Sequence, residues 1–140
     1  MEELERHRQS MIIDSIFKVE RNLHTKYNHQ SDNYFYISDK FHMEQFYLTL
    51  RFFVSYFTKY QDPTILSKYL DLLMIEYDSV DETPAHVLGL IFLINPQMVI
   101  QAVKSKENDH LKDLLYFGFL SATKEKGKEY ERWQKVLWEL

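Results

Sequence analysis

The chain has no cysteine, and only three glycines and three prolines among 140 residues. Without cysteine there is no disulfide, no thiolate metal site and no cysteine nucleophile. So few turn-forming residues argue against a β-sandwich, a barrel or a disordered linker, all of which need many of them. Long apolar runs are missing as well. Even counting Gly89, the stretch from Val87 to Ile94 is far too short to span a bilayer. The opening Met1-Glu2-Glu3-Leu4-Glu5 offers neither the basic region nor the apolar run of a secretory signal, so a cytoplasmic protein is expected. Positive charge is in deficit: 17 Lys and Arg stand against 21 Asp and Glu, a formal charge of −4. That balance repels a phosphate backbone and weighs against general nucleic-acid binding.

What the chain has in excess is aromatic surface, with ten Tyr, ten Phe and two Trp. Its apolar residues mostly recur at helical spacing. Ile12, Ile16, Val19, Leu23 and Tyr27 step by three or four and predict an N-terminal helix over 1–28. Residues 29–38 (HQSDNYFYIS) carry no such stripe and read as a loop, with Phe35 and Ile37 turned to the core and Tyr34 and Tyr36 outward. The segment 39–60 is apolar around almost its whole circumference, from Phe41 through Phe46, Leu50, Phe53 and Phe57 to Tyr60. Such a helix is surrounded by protein, or it meets a second copy as the seam of a homodimer.

Three capping side chains precede prolines: Asp62-Pro63, Thr83-Pro84 and Asn95-Pro96. Asp, Thr and Asn accept bonds from the open amides of a first turn, and proline at the first helical position loses nothing there. These pairs predict helices over 63–77, 84–94 and 96–106. Asn108-Asp109 opens another to about residue 125, Gly127 breaks the chain, and 128–140 closes it with Tyr130, Trp133, Val136, Leu137 and Leu140 on one side. The expected fold is therefore all-α: one domain, 1–140, with 39–140 as stacked antiparallel hairpins forming a short α-solenoid or an irregular bundle. If each short link reverses the chain, 29–38, 78–83 and 106–109 gather at one end. That end would hold Asp32, Asp39, Asp78, Asp81, Glu82, Glu107 and Asp109, with Lys59, Lys124, Lys126 and Lys128 at the other.

Catalytic patterns are sparse. There is no Gly-x-Ser-x-Gly elbow and no glycine-rich phosphate loop. Glu20 and His24, Glu82 and His86, and Glu107 and His110 are spaced like helical ion pairs, and His42 beside Glu44 reads as a solvated edge. Only Glu107…His110 has the three-residue step of a di-metal carboxylate bundle, and it falls at a helix start. No metal or other cofactor is expected. The stretch 124–135 places five cations among three glutamates around Tyr130 and Trp133, a pattern of solvated helix faces more than of an RNA site. Gly89 and Gly118 lie inside apolar helices, where glycine allows close packing.

Two segments align at an offset of 33 residues: Asp62-Pro63-Thr64-Ile65-Leu66-Ser67-Lys68-Tyr69-Leu70 over Asn95-Pro96-Gln97-Met98-Val99-Ile100-Gln101-Ala102-Val103. With this period, residues 40–140 resemble a short HEAT-like α-hairpin repeat. Compact, acidic, cysteine-free, with no evident chemistry, and rich in Lys, Asn, Ile, Tyr and Phe as an AT-rich bacterial genome would make it, the chain also resembles the bacterial immunity proteins in type. That resemblance implies a non-enzymatic protein that binds and neutralises a cognate toxin. The acidic rim would be its docking edge: Asp78, Asp81, Glu82, Glu107 and Asp109, with Tyr34 and Tyr36 as aromatic anchors. Two alternatives stay open: a small helical enzyme or RNA-binding protein using His and Glu residues or the C-terminal basic-aromatic helix, and a homodimeric interaction protein paired through 39–60.

Overall fold

The computed structural model describes residues 2–26, 40–75 and 82–140, and it is all-α, with no strand among them. The chain divides into two compact units, Met1–Ser79 and Val80–Leu140. This division falls inside the 39–140 stretch that the sequence pattern runs together.

In the first unit, α1 (Glu2–Lys26) packs against a second helical stretch and a third. The second stretch opens with a π-helical turn, His42–Phe46, that leads directly into α2 (Tyr47–Tyr60). A π turn widens the helix so that residues five apart share a face. That is what Phe41 and Phe46 need: both are buried, and their rings stack at 5.9 Å. The third helix is α3 (Pro63–Leu73). One aromatic triad joins all three elements, Phe17 from α1, Phe53 from α2 and Tyr69 from α3. Its ring centroids lie 5.5 Å, 5.3 Å and 4.9 Å apart. Edge-on and tilted packing of this kind adds about 1 kcal/mol per pair to the area buried.

Salt links tie α1 to α3. Asp14 accepts from Lys68 at 3.1 Å across the helices and from Lys18 at 3.2 Å within its own. Burial pushes the Asp14 carboxyl up, but the two lysines outweigh it and hold it below the ordinary value. Both lysines are well hydrated, so Asp14→Asn should cost less than about 1 kcal/mol in a urea titration.

The apolar circumference of 39–60 resolves into two faces. Leu50, Phe53, Tyr56 and Phe57 are buried. Glu44, Gln45, Leu48, Arg51, Ser55, Thr58 and Lys59 are exposed, so among the described residues the outward face is mostly polar, with Leu48 the large apolar side chain on it.

The second unit holds α4 (Thr83–Ile94), α5 (Pro96–Lys106), α6 (Asp109–Ala122) and α7 (Lys128–Trp138). Its dominant helix pair is α4 with α6. They run antiparallel: Gly89 faces Gly118, and His86 near the start of α4 meets Ser121 in the last turn of α6 at 2.7 Å. The glycines bring the two backbones into direct contact. A Cβ on Gly89 would stand 2.0 Å from the Gly118 carbonyl oxygen, and one on Gly118 would stand 2.0 Å from that of Ala85. The α5 segment links this pair and packs on α4.

Capping bonds form at three of the four starts. Asp62 accepts from the amides of Thr64 and Ile65, Asn95 from Met98, and Asn108 from Leu111. At the fourth, Thr83 is already helical. Glu82 occupies the cap position, and its side chain makes no capping bond. Two helices end earlier than their apolar pattern does, at Leu73 instead of 77 and at Ala122 instead of 125. At the second, Thr123 turns extended and its hydroxyl donates to the Phe119 carbonyl, closing the helix without glycine.

Candidate functional site

The C-terminal helix α7 lays Tyr130, Trp133 and Leu137 against the second unit. Tyr130 stacks on Phe119 at 5.2 Å, Trp133 meets Phe92 edge-on at 5.4 Å, and Leu137 is buried. The cations beside them lie over these packed rings, Lys126 on Tyr130 and Arg132 on Trp133. Both aromatics of the basic-aromatic stretch therefore pack against the second unit on one side and stay half-exposed on the other.

Trp138 lies one residue beyond that stripe and turns away from it, 76% exposed. It stands 5.4 Å from Tyr116, whose hydroxyl accepts from Gln134 at 3.3 Å. On α6, Leu111, Leu115 and Phe119 face inward, so Asp109, Asp113 and Phe117 are left outside; Phe117 is 62% exposed. Between α6 and α7 these groups line a groove of about 390 Å³. Its walls are Tyr116, Phe117, Leu137 and Trp138, and Asp109, Lys112 and Asp113 stand at its rim. Lys112 lies 3.8 Å from the fully hydrated Asp109. The rim thus carries two carboxylates and one ammonium, beside an aromatic floor.

Of the expected rim residues, Tyr34, Tyr36, Asp78 and Asp81 lie outside the described residues, as do Asp32 and Asp39. Glu82, Glu107 and Asp109 are all exposed. Their shared edge does not form. Because α4 and α6 are antiparallel, Glu82 before α4 and Asp109 at the start of α6 sit at opposite ends of that pair. The reason is that α4 pairs with α6 directly, so the links on either side of α5 amount to one reversal and not two. Lys124 to Lys128 follow the end of α6 near which Glu82 lies, so charge is mixed there and not sorted. Glu107 and Asp109 do stay together, across a turn in which Glu107 adopts a left-handed backbone at φ 51°.

Tyr116, Phe117 and Trp138 are absent from the sequence-based site. No periodicity marked them: the stripe read over 128–140 already ran through adjacent residues, Val136 and Leu137, on to Leu140.

Glu20 is buried, while the side chains of His24 and His42 lie outside the described residues. Among the described residues no three His, Asp or Glu side chains gather as a metal site. His86 does meet a hydroxyl, that of Ser121. However, Ser121 lies in the last turn of its helix, where the partial negative charge of the helix end opposes an alkoxide or an oxyanion. The contact ties α4 to α6. Among the described residues, no helix is long and apolar enough to cross a membrane. No protein-family model, no curated protein and no solved structure matches the chain.

Proposed function

We propose that this protein is a non-enzymatic, cytoplasmic protein-binding module of the immunity type, which occupies a basic surface on a cognate bacterial toxin. The observation that carries the reading is the α6–α7 groove, where Phe117 and Trp138 face water beside Tyr116. Large exposed aromatics beside a well-packed core are the side chains from which interface hot spots are built. Asp109 and Asp113 at the rim, with Glu107 two residues before Asp109, favour a cationic partner and speed its approach.

The test is titration calorimetry of the purified chain against the product of the gene beside its own. Trp138→Ala and Phe117→Ala should each weaken the complex at least tenfold, about 1.4 kcal/mol, and leave the melting temperature almost unchanged. Asp109→Lys with Asp113→Lys should mainly slow association, and more so at low salt. No complex, or a complex indifferent to all four substitutions, would refute the assignment.

A further inference from the structure

Cations of this chain lie over its own rings. Arg132 stands 4.8 Å from the Trp133 ring, Lys126 stands 6.0 Å from Tyr130, and Lys59 and Arg6 stand 5.1 Å and 5.6 Å from Tyr60. The face of an aromatic ring is electronegative and attracts a cation even at an exposed site. The α6–α7 groove differs. Its rings are Tyr116, Phe117 and the largely exposed Trp138, and among the described residues no cation of the chain lies over them. Its two carboxylates are unequal. Lys112 lies 3.8 Å from Asp109 and offsets it, whereas Asp113 makes no ion pair among the described residues. Asp113 and Tyr116 are three residues apart on α6, about 4.5 Å along one side of the helix. The Trp138 ring of α7 stands 5.4 Å from that of Tyr116. A carboxylate without a counter-charge is thus one helical turn from a pair of aromatic rings.

We infer that the groove receives an arginine side chain of the partner, its guanidinium laid on Trp138 and its N–H groups directed at Asp113. This assignment rests on the groove being the docking surface, and it names what enters there. Three features favour a guanidinium over other cations. A guanidinium is planar and delocalised, so it stacks on an open indole face while it donates two parallel bonds to one carboxylate. An ammonium is compact and strongly hydrated, and it gains less by leaving water for a groove of this kind. A quaternary ammonium donates no hydrogen bond, so Asp113 would serve it only as a distant charge. The chain's own surface shows the same preference, since the shortest of its four cation–ring contacts is that of an arginine with a tryptophan.

The shape of the site ranks the contributions. A groove of about 390 Å³ leaves water around a single side chain, so the ion pair to Asp113 stays hydrated and adds only a few-fold to the affinity. Stacking on Trp138 carries more, because a ring face needs no dry surroundings to hold a weakly hydrated cation. Lys112 acts against the ligand, repelling it and offsetting Asp109.

Nuclear magnetic resonance of the isotope-labelled full chain tests this, with the peptide acetyl-Gly-Arg-Gly-amide as the probe. The Trp138 indole N–H and the Tyr116 ring should shift saturably at millimolar peptide, while the Trp133 indole stays in place. The matching lysine peptide should bind at least threefold more weakly. The citrulline peptide, alike in shape but uncharged, should give no saturable shift. Asp113→Asn should weaken the arginine peptide about threefold, and Trp138→Leu, read at Tyr116, at least fivefold. Lys112→Gln should strengthen it about twofold, a gain that a damaged fold would not give. No saturable shift with the arginine peptide overturns the assignment. So do equal shifts with the citrulline peptide, or an affinity indifferent to Asp113→Asn. The docking role of the groove is judged apart from this. If Trp138→Ala and Phe117→Ala weaken the partner complex while the arginine peptide leaves the groove unmoved, the partner uses the aromatic floor and only the guanidinium assignment fails. If the peptide binds while the complex ignores both substitutions, the docking role fails and the arginine site remains.

Discussion

Placing a single methyl group on Gly89 or Gly118 should destabilise the second unit by about 3 kcal/mol or more, a large part of the 5–15 kcal/mol that holds a typical domain together. Alanine is the better helix former by about 1 kcal/mol, so in an open helix either change would stabilise the protein. Here the sign inverts. The new Cβ meets backbone, the Gly118 carbonyl in one case and the Ala85 carbonyl in the other, both at 2.0 Å. A side chain could rotate away from such a clash; a carbonyl inside a helix cannot. The helices would have to separate by more than about 1 Å to restore ordinary contact distances. That loosens the packing of Phe92 on Phe119, whose rings now meet edge-on at 5.5 Å. Gly127→Ala is the control, because a Cβ there meets nothing within 4 Å, and it should cost less than about 1 kcal/mol, the difference between glycine and alanine at a helix cap. Urea unfolding followed by circular dichroism measures all three. If Gly89→Ala and Gly118→Ala unfold at or above the wild-type midpoint, the backbone contact between α4 and α6 does not exist in solution.

The same two glycines show how far the sequence can be read. Their placement inside apolar helices marks close packing, and the prolines with their capping neighbours mark where α3 and α5 begin. These signals are local, and local chemistry settled them: a carboxylate or amide either reaches the second or third amide beyond it or does not. Which helix approaches which is a different kind of fact. Counting one reversal per link makes neighbouring helices the main partners, whereas α4 touches α5 but makes its dominant pairing with α6, where two glycines face each other. The expected acidic edge depended on that count, so Glu82 and Asp109 part company even though each helix was correctly placed along the chain. The groove residues failed to stand out for a related reason. Tyr116, Phe117 and Trp138 carry no mark of their own in a chain with this many aromatics. Only the buried partners of their neighbours, Leu115, Phe119 and Leu137, show which way they are left to point.

Asp62 should prove the most costly single polar residue to remove from the first unit. It joins two jobs that the sequence shows only in part. As the cap of α3 it accepts from Thr64 at 2.9 Å and Ile65 at 3.4 Å, which the Asp-Pro pair foretells. Its second oxygen takes the Tyr56 hydroxyl at 2.6 Å, a contact between the end of α2 and the start of α3. Arg6 of α1 stands farther off, at 3.7 Å and partly hydrated, and adds less. Burial alone would push the Asp62 carboxyl up. The tyrosine hydroxyl, the two amides and Arg6 together outweigh burial and hold it below the ordinary carboxylate value. Tyr56 responds in the opposite sense, its hydroxyl raised by burial and by donating to the carboxylate. Asp62→Ala should therefore cost about 3 kcal/mol near neutral pH, about 1 for the cap and about 2 for a buried tyrosine hydroxyl left without its acceptor. Asp62→Asn separates the two jobs: its one amide oxygen caps as well as aspartate does, but the NH2 in place of the second oxygen cannot accept the Tyr56 proton, so about 2 kcal/mol should be lost. The pH dependence has a definite sign. A carboxyl whose folded value is depressed contributes its full stability above the unfolded value, about 3.9, and loses it as the pH falls through the lower folded value. The gap between wild type and Asp62→Asn should thus be constant from neutrality to about pH 5 and close towards about pH 2. A gap of the same size at both ends of that range would mean that the charge on Asp62 contributes nothing, and that the cap and the tyrosine contact are held by geometry alone.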